Sequence, residues 1–173
     1  MASISERRPS SAIARLTHVR SDGAVAMVDV GAKSTTERFA RARATMRLGP
    51  GTERALKKAT LVKGDAFVTA QLAGIMAAKQ TSALIPLTHP IPLSSVSVDF
   101  KWVKKGLLQI DATARTTAQT GVEMEALTAA AIAALTVYDM TKAIERGITI
   151  ESLQLLEKSG GKSGRWKRSK AKN

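Results

Sequence analysis

The chain has 173 residues, with 27 Lys and Arg against 14 Asp and Glu, a formal net charge of +13 and no cysteine. That length fits one domain with a buried core, and the lack of cysteine excludes a disulfide framework, a thiolate metal site and a cysteine nucleophile. The charge suggests nucleic acid only until it is located: residues 1–20 hold four Arg and one Glu, residues 158–173 hold seven Lys or Arg and no acid, and the body between is nearly balanced.

Residues 1–15 show no periodicity and read as a flexible N-terminal tail. Their Ser and Arg content superficially fits a transit peptide, but Glu6 and the ordinary length favour a cytoplasmic protein. Residues 16–158 read as a single catalytic domain, and 159–173 as a Gly/Lys-rich segment with a basic tail. Within the domain, residues 24–30 (AVAMVDV) are a strand candidate. Residues 36–47 alternate, with Arg38, Ala40, Ala42, Ala44 and Met46 on one face and Arg41, Arg43 and Arg47 on the other, so they predict a strand. Gly49-Pro50-Gly51 breaks it, and Thr52 is placed to cap a short helix over 52–59. Asp65 predicts the N-cap of a helix over 66–79. Lys63 and Gly64 then sit at its positive end, which is either an anion site or an ordinary loop.

Residues 82–93 (SALIPLTHPIPL) carry three prolines that favour extended chain and disfavour helix. His89 is thereby held on a stiff segment, either as a structural hydrogen-bonding residue or as a catalyst. Residues 96–114 predict a hairpin turning at Lys104-Lys105-Gly106. Residues 121–146 predict the longest helix, with Leu127, Ala130, Ala131, Ala134, Leu135 and Tyr138 on its apolar face and Gly147 as its stop. Its charges gather at the two ends, Glu123 and Glu125 at one and Asp139 and Lys142 at the other. Residues 153–158 close the series as a strand. The order predicts an α+β, ferredoxin-like β-α-β-β-α-β sandwich, with an antiparallel sheet, helices on one face and a second subunit covering the other.

The segment GGKS invites a phosphate-loop reading, but the Walker spacing fails because residue 156 is leucine. It can still wrap a phosphate, or simply be a flexible basic tail. Two distant His without paired acids do not make a metal site. With two Trp, one Tyr and three Phe, base-stacking platforms are scarce. What remains is Lys63, Lys142, Lys158, Lys162, Arg38, one rigid His and a few carboxylates, a mixture suited to a polyphosphate ligand and acid–base work. Asp139 and Lys142 share a helix face, as a plain ion pair or as a proton-transfer couple. Glu123 and Glu125 lie about 20 Å away at ~1.5 Å per residue, so a pocket using both ends would combine two subunits.

The stretches MVDV, KGD before AGIMAAK, LIPLTHPIPL, TGVEMEALTAA, ALTVYDMTKA and KSGGKSG together resemble the cyclic pyranopterin monophosphate synthases, the molybdenum-cofactor biosynthesis protein C family. The resemblance runs from about residue 16 to 164. It implies a lyase that converts the cyclised dihydro-GTP made by a radical-SAM GTP cyclase to cyclic pyranopterin monophosphate and releases pyrophosphate. It also implies a homohexamer, a trimer of dimers, with the pocket at a subunit interface, and no cofactor beyond a magnesium assistance that nothing in the sequence indicates. By motif, Asp139 and Lys142 become the acid/base couple and Lys63 a catalytic or triphosphate-binding lysine. Leu87, Thr88, His89, Met124, Glu125 and Glu123 line the substrate site, and Arg38 is a phosphate ligand, with Lys158 and Lys162 as further substrate-binding lysines. The family usually has Cys where this chain has Thr88, so a side-chain role there is in doubt. The alternative is a non-catalytic nucleotide- or RNA-binding oligomer using the basic tails.

Overall fold

The computed structural model describes residues 23–58, 61 and 64–169. The flexible tail expected over 1–15 lies outside the described residues, as does Lys63. Five strands form one antiparallel sheet in the order β2-β3-β1-β4-β5. They are β1 (Thr36–Arg47), β2 (Ser95–Lys104), β3 (Leu107–Ala118), β4 (Thr149–Ser159) and β5 (Trp166–Lys167), and the helices are α1 (Pro50–Lys57), α2 (Ala66–Lys79), α3 (Thr81–Leu84) and α4 (Glu123–Thr141).

The alternation in β1 selects the buried face. Ala40, Ala42, Ala44 and Met46 are fully buried and lie opposite Ala114, Ala112, Ile110 and Leu108 of β3, which are fully buried too. Helices α2 and α4 cover this face, and the whole forms one apolar cluster. The contact layer is alanine on both sides, with Ala126, Ala129, Ala130, Ala133, Ala134 and Val137 of α4 fully buried. Backbones therefore approach closely: a Cβ on Gly74 of α2 would lie 2.9 Å from the Ala129 carbonyl oxygen and 3.0 Å from Cγ2 of Val98.

The outer sheet face is charged. Arg43 pairs with Asp111 directly across the ladder at 2.5 and 2.7 Å, Arg41 lies 3.9 Å from Glu157, and Arg115 sits over the Phe39 ring at 4.5 Å. One row of exposed apolar side chains lies on α2, where Val68, Leu72 and Met76 recur every four residues and are each more than half exposed.

Strand directions fix where the helix ends fall. β1 is antiparallel to β3 and β4, and β3 to β2, so β2 runs with β1 and β4 with β3. Helix α2, which links β1 to β2, must run back against β1, and α4, which links β3 to β4, must run along it. The two helices are therefore antiparallel. The Asp65 end of α2 and the Asp139 end of α4 share one end of the sheet, and Glu123 lies at the other.

Several expected boundaries move. Residues 24–30 form no strand, only a single bridge at Val25, and the segment runs into a turn in which Asp29 and Val30 bond Gly31 and Lys33. The first helix starts at Pro50 behind Gly49, not at Thr52, whose hydroxyl donates instead to Glu145 at 2.7 Å. One helical turn, α3, does form at Thr81–Leu84, just ahead of Pro86. Helix α4 stops at Thr141, short of Gly147, and its buried stripe is rotated from the expected one, leaving Leu135 52% exposed. The alanine sheet selects the smallest residues of α4. β4 begins at Thr149 because its pairing with β1 skips Glu151 and Leu156, bulges that erase the alternation. The basic C-terminal segment folds back: β5 pairs with β4, and Arg168 donates through its backbone to Leu156 and its side chain to Leu155, each at 2.8 Å.

Candidate active site

At the Glu123 end of the sheet two cavities share walls. One, of about 670 Å³, is lined by Lys33, Arg38, Lys158 and Lys162 among others, with Glu123 as its only carboxylate. The other, of about 420 Å³, is lined by Leu87, Thr88, His89, Met124 and Glu125. Lys33, Thr120, Gly121 and Glu123 line both, so the two read as one bipartite cleft. One lobe is cationic, and the other holds an imidazole and two glutamates.

The cationic lobe is built where β1 begins and β4 ends. Arg38 donates to the carbonyls of Ala118 and Gln119 at 3.3 Å each, which orients its guanidinium beside the end of β3. The chain then crosses over it at Gly160 (φ 100°) and Gly161 (φ 67°). A Cβ on Gly161 would fall 1.6 Å from an Arg38 nitrogen, and one on Gly160 2.0 Å from the Glu37 carbonyl oxygen. Only glycine fits both the left-handed backbone and the close approach. Lys158 donates to Gly164 O at 3.0 Å and to the Ser163 hydroxyl, holding the turn that carries Lys162. A structured turn therefore replaces the flexible tail considered from sequence.

The second lobe rests on the proline-rich segment. His89 Nε2 lies 2.8 Å from the Val28 carbonyl oxygen. That oxygen can only accept, so Nε2 carries the hydrogen and Nδ1 is the nitrogen left to face the cleft's contents. The Thr88 hydroxyl donates to Ile85 O at 2.9 Å, closing the turn before His89. Its hydroxyl is thereby spent on the backbone. Glu125, in the first turn of α4, is 3% exposed, and burial, aided by Glu123, pushes its carboxyl above the usual range. The Glu123 carboxylate folds back over Gly121, to within 2.0 Å of where a Cβ there would stand.

Asp139 and Lys142 are elsewhere. They form an exposed ion pair at 2.6 Å at the far end of α4, and the carboxylate holds the lysine above its ordinary range. Fourteen residues separate Asp139 from Glu125, about 21 Å along the helix. Asp65 caps α2 at that same end, accepting from Phe67 and Val68 N–H at 2.9 and 3.2 Å. One chain thus gathers the cleft residues at one end of the sheet and leaves Asp139 and Lys142 at the other.

Sequence reasoning missed Lys33, the cation common to both lobes. It follows a tight turn in which Gly31 N–H bonds Asp29 at 2.8 Å and Lys33 N–H bonds Val30 O at 2.9 Å. The apolar letters of MVDV predict a strand, and that pattern gives no sign that Val28 and Val30 wall the cleft. The spacing of Asp29 before Gly31 was the available signal for a turn.

The MoaC family model matches residues 27–161, a span that holds the Asp139–Lys142 pair and the residues lining both lobes except Lys162 and Ser163. The chain belongs to the MoaC family. A MoaC-family protein of Novosphingobium aromaticivorans, named cyclic pyranopterin monophosphate synthase, is 53% identical over 152 residues, covering 88% of this chain and 96% of its own. Proteins of the same name from Thermomicrobium roseum and Parvibaculum lavamentivorans are 51% and 49% identical, covering 90% and 88% of this chain and 95% and 96% of their own. As a member, this chain is an enzyme of molybdenum cofactor biosynthesis.

Proposed function

We infer that this MoaC-family chain is a cyclic pyranopterin monophosphate synthase, a phosphorus–oxygen lyase. It converts (8S)-3',8-cyclo-7,8-dihydroguanosine 5'-triphosphate, the product of a radical-SAM GTP cyclase, to cyclic pyranopterin monophosphate and pyrophosphate. The observation that carries this reading is the bipartite cleft, four cations beside a His89–Glu125 lobe. The cations hold the triphosphate and stabilise pyrophosphate as it leaves. The ring is placed among Leu87, Thr88, His89 and Met124. No step requires a resident cofactor.

Ring opening and reclosure move protons both ways, for which Asp139 and Lys142 are the couple, with Lys63 a further catalytic or triphosphate-binding lysine. A second chain delivers them to the cleft. The roughly 21 Å between the two groups supports this, as does the exposed Val68–Leu72–Met76 stripe, which suits burial between copies in a hexamer. The series β1-α2-β2-β3-α4-β4 and the order β2-β3-β1-β4 support the ferredoxin-like assignment.

The test is a single assay: purified protein with the cyclase product, following pyrophosphate. The parent chain should release it. Asp139→Ala and Lys142→Ala should fold, assemble and release none. Near-parental turnover by either variant removes that residue from the chemistry.

A further inference from the structure

A second cavity, unrelated to the cleft, opens where α1 meets the β2–β3 turn, at the end of the sheet where β1 finishes. It has a volume of about 520 Å³ and is walled by Arg54 and Lys57 from α1, Lys104 and Lys105 from the hairpin, and Trp102. That volume lies within the ordinary range for small-ligand sites. We propose that this cavity is a binding site for a small polyphosphate, free or carried on a nucleoside.

The walls are held by one buried carboxylate. Glu53 is 7% exposed; one oxygen accepts from Lys57 Nζ at 2.7 Å and the other from the Gly106 N–H at 2.8 Å. It thus fixes α1 against the hairpin turn and sets the spacing of the cations above it. Lys57 is tied down on both sides, its ammonium lying 5.2 Å from the centre of the Trp102 ring. Gly106 has φ 70°, and a Cβ there would strike the Leu48 carbonyl oxygen at 2.7 Å, so the turn has little freedom to rearrange.

Glu53 is the only acid lining the cavity, and it is already engaged by Lys57. Among the described residues Arg54 and Lys104 make no ion pair. Arg54, Lys104 and Lys105 therefore crowd like charges into one concavity. A multivalent anion relieves that repulsion by bonding several of them at once, which a monovalent ion cannot do. Phosphoryl oxygens suit a guanidinium fork flanked by ammonium groups.

Trp102 is the natural reporter. In a Trp166→Phe protein it is the sole tryptophan, and its emission is read while inorganic triphosphate, GTP or guanosine is added. Both triphosphates should give a saturable change and guanosine none. Equal midpoints would make the anion alone sufficient, and a lower midpoint for GTP would make the nucleoside part of the ligand. Combined Arg54→Ala, Lys104→Ala and Lys105→Ala should raise the midpoint at least about tenfold, the worth of one charge-assisted contact. The same change should leave the melting temperature and pyrophosphate release as they were. Arg38→Ala, which disables the main cleft, should leave the Trp102 midpoint unchanged. No saturable change with either triphosphate, a response to guanosine alone, a midpoint indifferent to the three substitutions, or one that shifts with Arg38→Ala would each overturn the assignment.

Discussion

Arg38 and Gly161 form one unit at the residue scale. The guanidinium can lie under the chain only because residue 161 has no side chain and holds φ at 67°. Gly161→Ala should displace Arg38 and strain the turn by about 1–3 kcal/mol. Its expected signature is weaker substrate binding with a smaller loss of turnover at saturation, measured as KM against kcat. Glu125 gives a second test. A carboxyl held above its ordinary range binds its proton more tightly in the fold than in the unfolded chain. It therefore adds stability below its unfolded value of 4.5, and that stability is lost as pH rises through the folded value. Glu125→Gln should flatten this decline, so that urea midpoints below and well above pH 4.5 differ less than in the parent. The candidate residues themselves were legible from motif and residue type, and the fold gathers Arg38, Leu87, Thr88, His89, Glu123, Met124, Glu125, Lys158 and Lys162 around one cleft. Lys33 was not, because a turn anchored by Asp29 looks like a strand when only its apolar letters are read.

Among the elements, legibility followed regularity. β1 and β3 keep a period of two, β2 breaks it only at a bulge by Val103, and α2 is announced by its Asp65 cap, so their bounds agree with the pattern to within a few residues. β4 carries two bulges, so only its second half alternated recognisably. Helix α4 was plain as a helix but not in its rotation, since a run of alanines gives no amphipathic contrast to orient it. Its orientation is set by tertiary packing, chiefly the crossing at Gly74. Gly74→Ala should cost about 1–3 kcal/mol, more than its gain in helix propensity returns, because the added methyl meets backbone at Ala129. Chemical denaturation with an unchanged m-value is the measurement.

For the whole molecule, the antiparallel crossing of α2 and α4 separates the cleft from the Asp139–Lys142 pair within each chain. If two chains complete each site, two inactive proteins should repair one another. Mixing His89→Ala with Asp139→Ala chains, then dissociating and reassembling them, should restore a fraction of pyrophosphate release that neither has alone. Silence in mixtures shown to contain both chains would place the whole reaction within one subunit. The topology that allows this was visible as an order of elements, but not the direction in which each helix points its charged end; that required the strand pairings.

The alanine interior also reverses the usual mutational map. Where leucines fill a core, damage comes from trimming, and each lost methylene leaves a void. Here Ala40, Ala42, Ala44, Ala112, Ala114, Ala129 and Ala133 offer one methyl apiece to remove and no room to add another. Variation at these positions should therefore be punished mainly for gaining atoms, and a saturation scan of them should tolerate glycine or serine better than valine or leucine, whereas Met46, Leu108 and Ile110 should still be damaged by trimming.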